Sequence, residues 1–228
     1  MKMIISSIKN LNKFERSLWI VSMIAVALSY ILTGQTGVLS LASSIAGVST
    51  LIFIAKGDVF GQYLTVIFAI LYAMVSFQFR YYGEMITFLC MALPIAVASI
   101  VTWLRNPYAE KEVKVRKVTK NTVVWILVFT VIVTVALHFV LKVTHTNNLA
   151  ISTVSVATSF LAAALLMLRS PYYALAYGSN DIVLIIMWIM AAMADVKYAP
   201  MIVCFIMFLF NDMYGFYNWK RMEKRQGE

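Results

Sequence analysis

Apolar residues run through this chain in long blocks, not in the alternation of a half-exposed strand or the narrow stripe of a soluble helix. Eight blocks approach or reach the roughly 17–25 residues that cross a bilayer as a helix. They fall at about 17–33, 37–55, 59–79, 84–104, 121–141, 148–168, 172–194 and 197–219. Each is predicted to be helical, because only a helix satisfies its own backbone hydrogen bonds in lipid. The polar breaks are short: Thr33–Gly37, Lys56-Gly-Asp58, Arg80–Glu84 and Asp195-Val-Lys197. The longer exception is 105–120, a basic loop. Ahead of the first block, Ile4, Ile5, Ile8 and Leu11 mark a short amphipathic helix lying on the membrane surface. Trp19 reads as an interfacial anchor. The second block is rich in Ser, Ala and Gly and reads as a central, closely packed helix. Pro94 predicts a kink in the fourth.

Composition supports the same class. The 228 residues are 62% hydrophobic and 13% charged, against about 45–50% and 25% in soluble domains. The fold class is therefore an all-α polytopic membrane protein of about eight spans. The net charge of +9 is not a nucleic-acid footprint, because it is sorted by side. With the N-terminus inside, 16 of the 19 Lys and Arg residues fall in inner segments and only Arg80, Lys142 and Lys197 in outer ones. That asymmetry predicts both termini in the cytoplasm and basic contacts with lipid. The lead-in has no small-residue cleavage site and is not read as a signal peptide. Cys90 and Cys204 sit mid-span and read as small buried residues. No zinc spacing or disulfide framework is present, and no cofactor is implied.

The candidate chemistry lies in the last two blocks. Asn180 and Asp181 interrupt one; Asn211 and Asp212 interrupt the other. Such groups are costly in an apolar helix unless they face a partner or water. Alternating span direction puts both pairs at similar depth, so they can share a site. Tyr177, Asp181 and Trp188 share one helical face; Asn211 and Tyr214 share another. Asn and Asp supply donors and acceptors, while Trp188, Tyr72, Tyr177 and Tyr214 supply flat faces for a ring or a cation. Gln62 completes the candidate set. Tyr217, Asn218 and Trp219 read as an interfacial belt. A buried carboxyl is readily protonated, which permits proton coupling without requiring it. The combination suits a nucleoside-like or vitamin-like solute.

A repeat organises the chain. A shift of 116 residues brings Tyr72 onto Trp188, Tyr82 onto Tyr198, Met85 onto Met201 and Trp103 onto Trp219. After a further three-residue shift the second block meets the sixth, Lys56 falling on Arg169. Blocks two to four and six to eight thus form parallel copies, a transporter architecture with its site at the repeat interface. The domain reading is 1–36, lead-in and extra N-terminal helix; 37–104, first three-helix bundle; 105–147, basic cytoplasmic loop and linker helix; 148–219, second bundle; and 220–228, basic cytoplasmic tail. The copies differ chemically: Asp181 faces Thr65 in the alignment, and Asp212 faces Ala96.

Ala55-Lys-Gly57, Tyr82-Gly-Glu-Met85, Pro94 and the closing Tyr214-Gly-Phe-Tyr-Asn-Trp219 resemble the PnuC family of bacterial nicotinamide riboside transporters. The resemblance implies a SWEET-like fold in the bacterial cytoplasmic membrane. It also implies facilitated uptake of a vitamin-related nucleoside by rocking bundles, with the substrate trapped by a separate kinase. The family's glutamine after the fourth-span proline is absent here, where Ile95 and Ala96 follow Pro94. Thiamine, riboflavin or a deoxynucleoside therefore stand as alternative cargoes. An intramembrane enzyme is disfavoured: His138 and His145, the only histidines, lie on the outer side, remote from the Asn-Asp pairs. A capture subunit docked to an energising partner through 105–120 is a third reading. Homo-oligomerisation stays open.

Overall fold

A computed structural model gives the fold of residues 2–109 and 112–227; Lys111, counted above in the basic loop, lies outside the described residues. A surface helix α1 (Lys2–Lys9) precedes α2 (Lys13–Leu32). The first repeat comprises α3 (Val38–Ala55), α4 (Phe60–Gln78), and a broken span of α5 (Tyr82–Thr87) and α6 (Leu93–Leu104). A two-stranded hairpin, β1 (Pro107–Ala109) with β2 (Glu112–Val113), occupies the basic loop. The linker helix α7 (Lys120–Val143) leads to the second repeat: α8 (Leu149–Met167), α9 (Tyr173–Ala194) and α10 (Ala199–Gly227). Eight helical segments among the described residues are long and apolar enough to cross a membrane.

Local chemistry explains several boundaries. Asn12 and Glu15 form a reciprocal capping box that starts α2. The kink expected at Pro94 is a π-helical turn over Phe88–Ala92, immediately ahead of the proline. Pro94 has no N–H for the carbonyl four residues back, and the widened turn accommodates that gap. α10 does not stop at Trp219; the segment read as a tail continues the helix to Gly227. Cys204 is buried as expected, but Cys90 is exposed on the outside of the bundle.

One face of the molecule carries the start of α2, the α3–α4 turn, the hairpin, the α8–α9 turn and the end of α10. It is here called the basic face, and it is stitched together. Lys56 Nζ pairs with Glu15 at 3.2 Å. Val113 N donates to Gly57 O, Arg116 N to Arg169 O, and Gln226 accepts from Val115 N.

The two repeats turn alike at this face. Gly57 (φ 72°) and Arg169 (φ 61°) both occupy the left-handed region. Their amides bond Ile54 O and Leu166 O respectively. Asp58 Oδ1 then takes the Phe60 amide, as Ser170 Oγ takes that of Tyr172. The equivalence is therefore Gly57 with Arg169, one residue away from the Lys56–Arg169 pairing read from the sequence. Backbone conformation, not side-chain charge, marks the corresponding position. A glycine suits this φ; Arg169 holds it at a cost in strain.

α3 is the central helix predicted from its small residues. A Cβ at Gly47 would come 2.3 Å from Phe208 Cζ, so this glycine lets α10 close on α3. α7, in contrast, packs chiefly on α8 and exposes Val124, Trp125, Phe129, Val131 and Phe139 around its outside, as a lipid-facing linker does.

Candidate functional site

Between the repeats lies a cavity lined by side chains of both. α3, α4 and α6 supply one wall; α8, α9 and α10 supply the other. The repeat reappears in its lining: Thr65 with Asp181, Phe68 with Leu184, Ala92 with Phe208 and Ala96 with Asp212. Each pair is separated by 116 positions, so applying the shift to the site residues themselves finds lining that composition does not reveal.

Five of the nine sequence candidates line this cavity: Gln62, Tyr177, Asn180, Asp181 and Asp212. Asp181 on α9 and Asp212 on α10 both line it, and each buries a carboxyl oxygen without a partner. Asn180 is held by α8, its Oδ1 accepting from Thr158 (2.8 Å), Ser159 (3.0 Å) and Ser155 (3.4 Å).

The other four belong elsewhere. Asn211 donates to Ser22 Oγ at 3.0 Å and to Met207 O at 2.7 Å, tying α10 to α2. Its neighbour Asp212 points into the cavity because consecutive helical residues differ by about 100°. Tyr214 donates to Glu15 at 2.7 Å, also toward the N-terminal helix. Tyr72 and Trp188 are fully buried and bonded to each other, Trp188 Nε1 to Tyr72 Oη at 3.2 Å. They sit behind Phe68, Phe88 and Phe205, which do line the cavity. They close the site and do not form its wall.

The belt reading fails for Trp219, which is fully buried and donates to Ile54 O at 2.8 Å. Asn218 bonds Ala55 O at 2.8 Å. Only Tyr217 faces out. Trp19 likewise bonds Ser49 Oγ at 2.9 Å, so it fastens α2 onto α3. His138 bonds Thr153 at 2.9 Å and joins α7 to α8.

The sequence reading missed the polar groups of small side chains. Thr50, Thr87 and Ser99 line the cavity, and their hydroxyls are buried without partners. Both amide atoms of Gln62 and the Oδ2 atoms of Asp181 and Asp212 are in the same condition. Buried polar atoms are normally bonded. Six side chains turning unbonded atoms into one cavity therefore describe a site shaped for a polar ligand. Such hydroxyls are common in membrane helices, which is why nothing in the sequence singled them out.

The match to known proteins follows this geometry. The model of the family described as nicotinamide mononucleotide transporter matches residues 37–221. The chain belongs to that family. The matched region begins at α3 and so leaves α1 and α2 outside. Two curated relatives bear the name nicotinamide riboside transporter PnuC. The one from Neisseria mucosa is 25% identical, over 92% of this chain and 82% of its own. The one from Haemophilus influenzae is 23% identical, over 82% of this chain and 81% of its own. A crystal structure described as the vitamin B3 transporter PnuC superposes with a TM-score of 0.82 at 24% identity, covering 95% of this chain and 94% of that one. The chain shares the fold of that structure, and its own eight spans comprise two parallel three-helix repeats, a linker and an extra N-terminal helix.

Proposed function

We propose that this chain carries nicotinamide riboside, not the phosphorylated mononucleotide, across a bacterial cytoplasmic membrane. The observation that carries this reading is the charge of the cavity. Asp181 and Asp212 line it, and no Lys, Arg or His is among its described lining residues. A phosphate would meet carboxyls with no cation to offset them, at a cost of several kcal/mol. A riboside has no phosphate, its hydroxyls match the unbonded Gln62, Thr50 and Thr87, and its pyridinium ring is cationic. Phe68, Phe88 and Phe208 give that ring apolar and aromatic contact.

In this proposal the termini are cytoplasmic, as the distribution of Lys and Arg supports. Residues 37–104 and 148–219 rock as two bundles about the axis between them. Movement is downhill, and a separate cytoplasmic kinase makes it one-way. The phosphorylated product is then the species least able to re-enter a carboxyl-lined cavity. The test is uptake by the purified protein in liposomes. Riboside is expected to accumulate to equilibrium and to be unaffected by excess mononucleotide. Transport of mononucleotide, or equal competition by it, overturns the reading. A response to thiamine, riboflavin or a deoxynucleoside in place of the riboside would reassign the cargo.

A further inference from the structure

A second cavity, about 400 Å³ of atom-free space, lies on the basic-face side of Trp103, which lines it together with Gly57, Asp58, Pro107, Glu112 and Val113. The central cavity is lined by Ile54, Ser99 and Leu166 among others. Trp103 Nε1 donates to Leu166 O at 3.3 Å, so the indole that lines this second cavity is bonded to a residue lining the central one.

Asp58 gives this second cavity its chemistry. It is 1% exposed. Its Oδ1 accepts the Phe60 amide at 2.9 Å, whereas Oδ2 has no partner. The other carboxyl of the lining, Glu112, is engaged by Arg225 and by Gln226 Nε2. Asp58 therefore presents a buried, unbonded carboxylate oxygen to a cavity bounded by an indole. An uncompensated carboxylate in such a place is unfavourable. A carboxylate and a tryptophan together form a setting for an organic cation. The described acidic, His and Cys residues form no group of three that could hold a metal ion. The second repeat has no such feature, since Ser170 replaces Asp58 and Arg169 replaces Gly57 at the equivalent turn.

We propose that Asp58 and Trp103 form a separate organic-cation subsite on the basic face, which takes the pyridinium ring of the solute. This assignment of the ligand rests on the riboside reading; the cation preference rests on Asp58 alone. The test uses 1-methylnicotinamide, a pyridinium cation without ribose, with neutral nicotinamide as the control. Binding is followed by quenching of tryptophan fluorescence. Asp58→Asn keeps the side-chain oxygen that caps Phe60 and removes the charge, so the fold is retained. Asp181→Asn leaves this subsite intact and weakens the central one.

The Asp181→Asn protein is expected to bind 1-methylnicotinamide and to ignore nicotinamide. Adding Asp58→Asn is expected to weaken that binding at least tenfold. Trp103→Phe in the same background is expected to remove most of the quenching. Equal binding with and without Asp58→Asn, or equal binding of neutral nicotinamide, overturns the subsite even if riboside is transported. Asp58-dependent cation binding in a protein that transports no riboside upholds the subsite and removes the riboside reading.

Discussion

Trp103 and Trp219 stand at equivalent places in the two repeats, and they touch, with ring centroids 5.6 Å apart. Each donates its indole N–H to a carbonyl of the opposite repeat: Trp103 to Leu166 and Trp219 to Ile54. Equivalent residues can meet only on the pseudo-twofold axis. Tyr72 and Trp188, also 116 positions apart, meet in the same way at the other end of the cavity. The axis thus runs from the two tryptophans at one end to a tyrosine and a tryptophan at the other. Any rocking of one repeat against the other must work through these two contacts.

Trp219→Phe keeps the ring against Trp103 and Tyr173 but removes the donor to Ile54 O, which retains the Gly57 amide. The loss of one buried hydrogen bond costs about 1 kcal/mol. For a chain of this size that lowers the melting point by about 2–4 °C. Trp219→Ala also opens a cavity and is expected to cost about 3–5 kcal/mol. Thermal unfolding in detergent checks both values. Equal effects of the two variants would mean that the indole N–H, not the ring, holds the contact.

Asp181→Asn and Asp212→Asn preserve shape while changing the carboxyl pair. Each is expected to weaken riboside binding at least tenfold, about 1.4 kcal/mol. Because both carboxyls line one cavity and would share the ligand, the double variant is expected to fall short of the sum of the two. Isothermal titration of the three variants measures the coupling. Strictly additive losses would show that the two groups meet the ligand independently.

Asn211 supplies the contrast. It bonds Ser22 and the Met207 carbonyl and does not line the cavity. Asn211→Ala is expected to leave ligand affinity unchanged and to cost about 1 kcal/mol of stability. A melting curve and a binding isotherm on one preparation separate the two effects. Lost affinity with unchanged melting would return Asn211 to the site.

These cases show what the pattern of the chain could convey. Span number, the parallel repeat and the facing carboxyls were legible, because hydrophobic length and a 116-residue shift are properties of the chain itself. Asp181 and Asp212 announced themselves as charges in apolar runs. Rotation about each helix was not legible. Asn211 sits beside Asp212 in sequence yet turns toward α2, and Asn180, which lines the cavity, has its oxygen taken up by α8. Whether Trp219 faced lipid or the axis depended on its opposite repeat, which local sequence does not contain. The Gly57–Arg169 equivalence was hidden for a related reason: the shared feature is a left-handed backbone turn, held by different residues. The N-terminal helix was visible as a span, but its docking was not, since Glu15 and Tyr214 are 199 positions apart.

Glu15 holds that helix in place, and it reaches both repeats at once. It is 1% exposed, pairs with Lys56 at 3.2 Å, accepts from Tyr214 at 2.7 Å and takes the Asn12 amide at 2.7 Å. Lys56 follows α3 in the first repeat and Tyr214 lies on α10 in the second, so one carboxylate of α2 links the two on the basic face. Glu15→Gln keeps an acceptor for the Tyr214 hydroxyl and loses the ion pair. Lys56 is partly exposed and can turn to water, so the cost is expected to stay near 1 kcal/mol. Glu15→Ala also strands the tyrosine and the Asn12 amide, for about 2–3 kcal/mol. If the repeats rock, Glu15→Gln should also loosen the basic side and raise the rate of riboside exchange across liposomes. A lower melting point with an unchanged exchange rate would make Glu15 a fastening for α2 alone. A faster rate would make the extra N-terminal helix part of the transport cycle.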